Sequence, residues 1–391
     1  MEAYTWTFAK SFLVFLIIVF FSESLSTKLK WFLPMPLVFG VVLCAGFTKG
    51  LLPEDMLLSA NMVSVGTIAF NVLIIHSGTM LDLRVIKAKK TETCHVVLCS
   101  LIMTVLLICI LWPVFGRTFA LLSPGAVIGG GASCAIGSRW IMGKYPELSF
   151  YPWTIFMFQG LFAMPFLTWA LRKEAQRLEQ ELPEGAGPAQ QRRPDGGSAA
   201  VDRLPASYKT TAWYLGSIMV LTALNNLLHA TLLKNAGVNP NITALLLGML
   251  AANLGLIDKA PLFRSDTYGL LILSLMGLMA NNLAHTPLQA LLSLVVPTLA
   301  ALLIGTVILA VSGYCLGRCL KIGPYAGMIL AMNSVMGYPV NRGLAGRIAG
   351  TVSSEKRAAV EGNLLSQLNL STALISNGLS VILVGILAAL I

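Results

Sequence analysis

Apolar runs of about twenty residues recur from Phe12 to Leu390, and this recurrence limits the chain more than any other feature. Each run is long enough for a helix to cross the roughly 30 Å hydrocarbon core of a bilayer. Composition agrees: 56% of the residues are apolar and only 11% are charged, against roughly 25% charged in an average globular protein. So few polar side chains cannot cover a water-facing surface. A cytosolic enzyme, a disordered binder and a secreted disulfide scaffold are therefore excluded, and the chain reads as an all-α polytopic membrane protein.

The runs in the first half read as helices at 11–27, 32–52, 60–81, 94–115, 122–143 and 150–171. Those in the second half fall at 210–231, 240–257, 266–284, 288–313, 322–345 and 363–390. Between the halves, 172–209 is rich in Glu, Gln, Arg, Pro and Gly, with too few apolar residues for a core, and reads as a flexible linker. Lys10 and the run from Ser11 to Phe21 resemble a signal peptide, but Ser22-Glu23-Ser24 puts a carboxylate where a cleavage site belongs, so the segment is kept as a span. The seven cysteines (Cys44, Cys94, Cys99, Cys109, Cys134, Cys315 and Cys319) show no zinc or redox spacing. They read as small packing residues, with Cys134 set apart by its place in a glycine-rich run.

Two segments differ from the others. The first, 122–143, carries Gly125, Gly129, Gly130, Gly131, Gly137 and Gly143 with Ser133, Ser138 and Arg139. The second, 322–345, carries Gly323, Gly327, Gly337 and Gly343 with Asn333, Ser334, Pro339, Asn341 and Arg342. Irregular backbone is tolerated at membrane depth only where it is buried in protein or lines a cavity. Each segment therefore reads either as a crossing helix or as a re-entrant loop that returns to its own side. Charge decides between the two. With twelve crossings the Lys and Arg residues split 14 to 13 across the membrane; with ten crossings and two re-entrant loops they split 21 to 6. Leaving out the seven linker charges, the second split is still 14 to 6. Only ten crossings obey the positive-inside rule. Both termini are then outside, the linker is cytoplasmic, and the excess of positive charge (formally +10) reports topology, not nucleic-acid binding.

Five crossings per half make any internal repeat an inverted one. Residues 1–171 and 210–391 read as the two repeats. At an offset of 200, Ser123-Pro124-Gly125-Ala126 falls on Gly323-Pro324-Tyr325-Ala326, Gly137 on Gly337, Gly143 on Gly343 and Thr67 on Thr267. Inverted repeats with broken backbone near the midplane are the architecture of secondary transporters working by alternating access.

Gly129-Gly130-Gly131-Ala132-Ser133-Cys134 resembles the glycine-rich re-entrant signature of the sodium/glutamate symporter family and of the related sodium/2-hydroxycarboxylate carriers. The second loop, from Asn333 to Arg342, has no Gly-Gly pair. The resemblance implies two inverted five-helix halves, a cytoplasmic central loop, and loops entering from opposite faces. It also implies a homodimer in the plasma (inner) membrane that carries a small carboxylate or amino acid, such as glutamate, with sodium as coupling ion and no other cofactor.

The residues themselves suggest roles. Gly129, Gly130 and Gly131 let backbone approach a ligand without a Cβ in the way, or simply make a sharp turn. At the same offset Ser133 and Cys134 align with Asn333 and Ser334, small polar groups suited to a substrate or to helix–helix bonds. Arg342, behind Asn341, and Arg139, beside Trp140, read either as bidentate clamps for a substrate carboxylate or as snorkelling interfacial anchors, the clamp being favoured for Arg342 and the anchor for Arg139. Gln159 and Gln367 add substrate contacts, with Gln367 four residues from Asn363 on one helical face. Ser133, Asn333, Asn363 and Asn71 are the candidate sodium ligands. Buried His76 reads as a hydrogen-bonded interior histidine or as a proton site. No Asp or Glu falls near the middle of any assigned span, which favours sodium and neutral oxygens over a carboxylate proton relay. Proton coupling, uncoupled organic-anion exchange or export, and a channel with filter loops remain as alternatives. The scattered histidines and carboxylates argue against an enzyme.

Overall fold

The computed structural model describes residues 6–29, 33–183, 201, 204–234, 236–333 and 340–391. Every regular element among them is helical. The first half contains α1 (Phe8–Lys28), α2 (Met35–Thr48), α3 (Met56–Ser59), α4 (Met62–Thr79), α5 (Leu83–Ala88), α6 (Lys90–Phe115), α7 (Arg117–Val127), α8 (Gly131–Met142) and α9 (Tyr151–Glu181). The second half contains α10 (Thr211–Thr231), α11 (Pro240–Asn253), α12 (Pro261–Arg264), α13 (Tyr268–Ala284), α14 (Leu288–Cys319), α15 (Pro324–Met332), α16 (Val340–Ala349) and α17 (Arg357–Ser371). A π-helical segment, Thr372–Leu379, joins α17 to α18 (Ser380–Ala389). Among the described residues, six helical stretches are long and apolar enough to cross a membrane, and three shorter apolar helices accompany them.

Packing sorts the helices into two sets. In one, α4 lies against both α11 and α13, with α1–α3, α10 and α12 around them. In the other, α6–α9 pack with α14–α18. Within the first set, backbones touch: a Cβ at Gly248 would overlap the Ile75 carbonyl, and one at Gly78 the Leu245 carbonyl. The sets meet where α2 lies on α9, α11 on α18, α8 on α13, and α4 on the π segment.

Element lengths and backbone signatures recur along the chain. α1 and α10 each have 21 residues, α2 and α11 each 14, and α3 and α12 each 4. Left-handed or otherwise positive φ occurs at Gly50 and Gly255, at Asn61 and Asp266, and at Gly116 and Gly323. These pairs lie 205, 205 and 207 residues apart, not 200. The tetrads that match at 200 are not structural counterparts. Ser123–Ala126 sit inside α7, where Pro124 is tolerated, whereas Gly323 caps the start of α15. Asn333 closes α15 as Ile128 closes α7, 205 residues apart.

The helix that begins at Tyr151 continues to Glu181, ten residues past the boundary expected at 171. Leu171, Ala175 and Leu178 keep an apolar stripe at helical spacing and bury it, so the helix does not stop where the charges begin. Of the rest of the expected linker, residues 184–200 and 202–203 lie outside the described residues.

Candidate functional site

α7 and α8 form a helical hairpin. A Cβ at Gly137 would lie 3.9 Å from Leu122 Cδ2. In one straight helix, residues fifteen apart would be separated by about 22 Å. The chain therefore reverses at Ile128–Gly130, midway between them. Both limbs sit at the start of α9: Ser123 Oγ and Tyr151 Oη are 2.7 Å apart, and a Cβ at Gly137 would be 3.3 Å from Pro152.

α15 and α16 make a second hairpin at the other end of α9. Gly323, at the foot of α15, lies against Arg177, whose guanidinium carbon would be 3.6 Å from a Cβ there. Beyond α16, the Ser353 N–H donates to Glu179 Oε1 (2.8 Å), and Lys356 Nζ donates to the Glu179 carbonyl (2.7 Å). The 31 residues of α9 span about 46 Å, so the two pairs of limbs are held at opposite ends of a helix longer than a bilayer core is thick.

The inner ends of the hairpins converge on one stretch of the last span. A Cβ at Gly130 would be 3.2 Å from Ser376 Oγ. One turn earlier, Asn333 Nδ2 donates to the Leu368 carbonyl (2.9 Å), Thr372 Oγ1 (3.1 Å) and Asn341 Oδ1 (3.3 Å). Asn341 Nδ2 donates to Thr372 Oγ1 (3.0 Å) and to Asn369 Oδ1 (3.4 Å). Thr372 in turn donates to the Leu368 carbonyl at 3.0 Å. This node lies at the start of the π-helical segment, a backbone form that is rare and often found at functional sites.

Several buried amide oxygens are left over among the described residues. The buried Oε1 of Gln159, Oε1 of Gln367, Oδ1 of Asn333 and Oδ1 of Asn281 have no hydrogen-bond partner among the described residues. All four are acceptors. Buried polar groups are ordinarily paired, so a surplus of acceptors suits a cation or a ligand that brings donors.

The residues expected to act together are partly gathered. Asn333 and Asn341 share the node, and Gly129, Gly130 and Gly131 form the first turn with Ser133, whose Oγ donates to the Gly130 carbonyl at 2.8 Å. Cys134 is fully buried beside it. Ser334 lies outside the described residues. Arg342 is exposed on α16, and Arg139 holds its guanidinium 4.8 Å from the centre of the Phe70 ring. The candidate sodium ligands are not one cluster. Asn363 donates to the Ala359 carbonyl of its own helix (2.9 Å), and Asn71 lines a separate small cleft with Thr222, Asn225, Asn226 and Asn241. His76 is not hydrogen-bonded; its ring sits 5.2 Å from Phe263 and 5.6 Å from Tyr268, with both nitrogens unpartnered among the described residues.

Sequence reading missed Thr372 and Ser376, although Ser371-Thr372 and Ser376-Asn377-Gly378 interrupt the apolar run of the last span; Asn369 stands among the polar residues legible in that span. It also missed Glu174. This carboxylate is fully buried on α9 and accepts from Arg177 Nη2 (2.6 Å), Arg177 Nε (3.0 Å) and Gln367 Nε2 (3.2 Å). It was out of sight because 172–209 read as linker. No family model matches this chain, and a search of curated proteins found no match.

Proposed function

We propose that the protein is a secondary active transporter that couples sodium to the movement of a small carboxylate or amino acid, such as glutamate, by alternating access. One observation carries this reading: two hairpins from opposite ends of α9 meet the same polar turn of the last span. In a membrane the hairpins would enter from opposite faces, as inverted repeats require. The recurrence of helix lengths and positive-φ positions supports two inverted halves, each with five crossings and one re-entrant hairpin. The exchanged feet support them too. Arg117, at the foot of the first hairpin, donates to the Leu390 carbonyl just past α18, and Gly323, at the foot of the second, meets Arg177 near the end of α9.

The surplus amide oxygens supply neutral coordination for sodium, and the two helix sets supply bodies that can move against each other. Arg342 is the candidate carboxylate contact. On this reading both termini face outward, the linker is cytoplasmic, and the working unit is a homodimer in the plasma membrane.

Purified protein in liposomes tests the reading directly. Labelled glutamate or a related carboxylate should accumulate saturably when an inward sodium gradient is imposed, and a sodium ionophore should abolish accumulation. Arg342→Ala should remove uptake without lowering expression. Exchange without sodium would replace the symporter reading with an exchanger, and a non-saturating conductance would replace it with a channel.

A further inference from the structure

Glu174 is the one carboxylate among the described residues that sits fully buried within a long apolar helical stretch, and its partners show what it does. Arg177 meets it as a fork, Nη2 on Oε1 at 2.6 Å and Nε on Oε2 at 3.0 Å. The outer face of the same guanidinium is taken by Glu181, at 2.8 and 3.0 Å. The remaining capacity of Glu174 Oε1 goes to Gln367 Nε2 at 3.2 Å, across from α9 to α17. A carboxylate paired with arginine accepts and does not donate. It can hold a carboxamide only by the nitrogen end, so the orientation of the Gln367 amide is set by its partner. The carbonyl oxygen is left as the outward end, buried and without a hydrogen-bond partner among the described residues. The next residue, Leu368, supplies the carbonyl that receives the Asn333 amide.

We infer that Glu174 is a positioning residue for transport: by holding the Gln367 nitrogen, it presents the Gln367 oxygen as an acceptor for the coupling cation below the second hairpin. The inference rests on the sodium-coupled reading. A buried ion pair costs desolvation and is weak evidence for stability alone. What the pair adds at this place is a fixed amide, in the way that outer-shell carboxylates orient the groups that touch a metal. Arg177 donates to both Glu174 oxygens, and its contact with Gly323 ties the same helix turn to the hairpin foot.

Sodium-activation curves for uptake in liposomes test the inference with Glu174→Gln, Glu174→Asp and Gln367→Met. Glu174→Gln offers the amide a partner that donates as well as accepts, so the oxygen is no longer directed. The half-saturating sodium concentration should rise at least about fivefold while the maximal rate stays within about twofold; fivefold corresponds to roughly 1 kcal/mol. Glu174→Asp should recover most of the loss. Gln367→Met, which leaves the ion pair intact, should show the same sodium shift, and the double variant should add nothing to it. Unchanged sodium dependence in Gln367→Met overturns the inference, as does a shift in substrate half-saturation alone. Should the wild-type protein show no sodium-driven uptake, the transport reading fails, and the positioning claim is judged without it. Melting temperatures of the single and double variants, taken without ligand, must then be non-additive. Additive melting shifts would mean that Glu174 does not act through Gln367.

Discussion

The two hairpins bring different chemistry to the same turn of the last span. The first arrives as bare backbone: three consecutive glycines make its turn, and the hydroxyl next to them, Ser133, is spent on the Gly130 carbonyl. The second arrives as side chains, with Asn333 and Asn341 sharing Thr372 as a common partner. Their feet differ as well. Arg117 ties the first to the end of α18 through a single carbonyl, whereas the second is held by a charged stretch of α9 from Glu174 to Glu181. A single plan of helix, turn and helix can thus place polar groups at depth in two ways. Glycine removes bulk so that main chain itself supplies the polar surface of the first hairpin, and carboxamides carry the polarity of the second.

The largest effect is expected where the first hairpin depends on having no side chain. A Cβ at Gly129 would overlap both Ser133 Oγ and the Gly125 carbonyl, one of which is backbone and cannot step aside. Gly129→Val should destabilise by about 1–3 kcal/mol through overpacking and abolish uptake. Gly130→Ala meets only the Ser376 hydroxyl, at 3.2 Å, and should keep measurable transport. Melting temperature and uptake on the two variants decide it. Normal transport by Gly129→Val would show that the first turn is not the tightly fitted surface described.

The second hairpin should fail through lost hydrogen bonds, not through crowding. Asn333→Leu is close in volume but takes the Asn333 donor from the Leu368 carbonyl, which keeps the Thr372 hydroxyl, and from Asn341 Oδ1. At about 0.5–1.5 kcal/mol for each net hydrogen bond, uptake should fall about tenfold or more. Asn333→Asp keeps the size and removes the donor, so it should resemble Leu, not the wild type. If Asp transports normally, the amide is not what the node requires.

How far this plan was legible in the sequence follows from the same contrast. Glycine runs and apolar periods are local signals, so the first turn at Gly129–Gly131 and the long spans could be read from residues alone. Thr372 could not: a threonine in an apolar helix has no local mark that two asparagines from thirty or more residues away will converge on it. Glu174 was hidden for another reason. Its neighbours Arg172, Lys173, Arg177 and Glu181 have the composition of a solvated segment, and only the buried stripe of Leu171, Ala175 and Leu178 carries the helix onward. Identical short strings suggest an offset of 200 residues, whereas positive-φ positions recur at 205 to 207. The positive-φ pairs at 205 to 207 are set by where turns must fall, which tolerates a change from Asn61 to Asp266 without sequence identity.

The feet give a smaller and more symmetrical test. Gly116 has φ +87° and Gly323 φ +108°, conformations that side chains other than glycine rarely adopt. Alanine at either position should cost about 1–3 kcal/mol in backbone strain. Nothing lies within 4 Å of a Cβ at Gly116, whereas Arg177 lies 3.6 Å from one at Gly323. Equal losses in melting temperature would mean that strain alone matters and the feet are equivalent. An extra loss at Gly323 that disappears in an Arg177→Met background would assign the difference to the charged stretch of α9.

The smallest effect concerns the contact between the two helix sets beside the first hairpin. Arg139 on α8 reaches across to the Phe70 ring on α4, and Ser138 accepts from Asn282 Nδ2 of α13 at 3.0 Å. An exposed cation over an aromatic face contributes about 0.5–1 kcal/mol. If the sets slide during transport, this contact must break in each cycle, so its strength should appear in rate and not in affinity. Arg139→Ala should lower the melting temperature only slightly and leave substrate half-saturation unchanged, while the maximal rate shifts by about fivefold or less. A matching Arg342→Ala comparison sharpens the point, because removing an arginine that touches the substrate should abolish uptake, whereas removing one that only bridges moving bodies should change the rate alone.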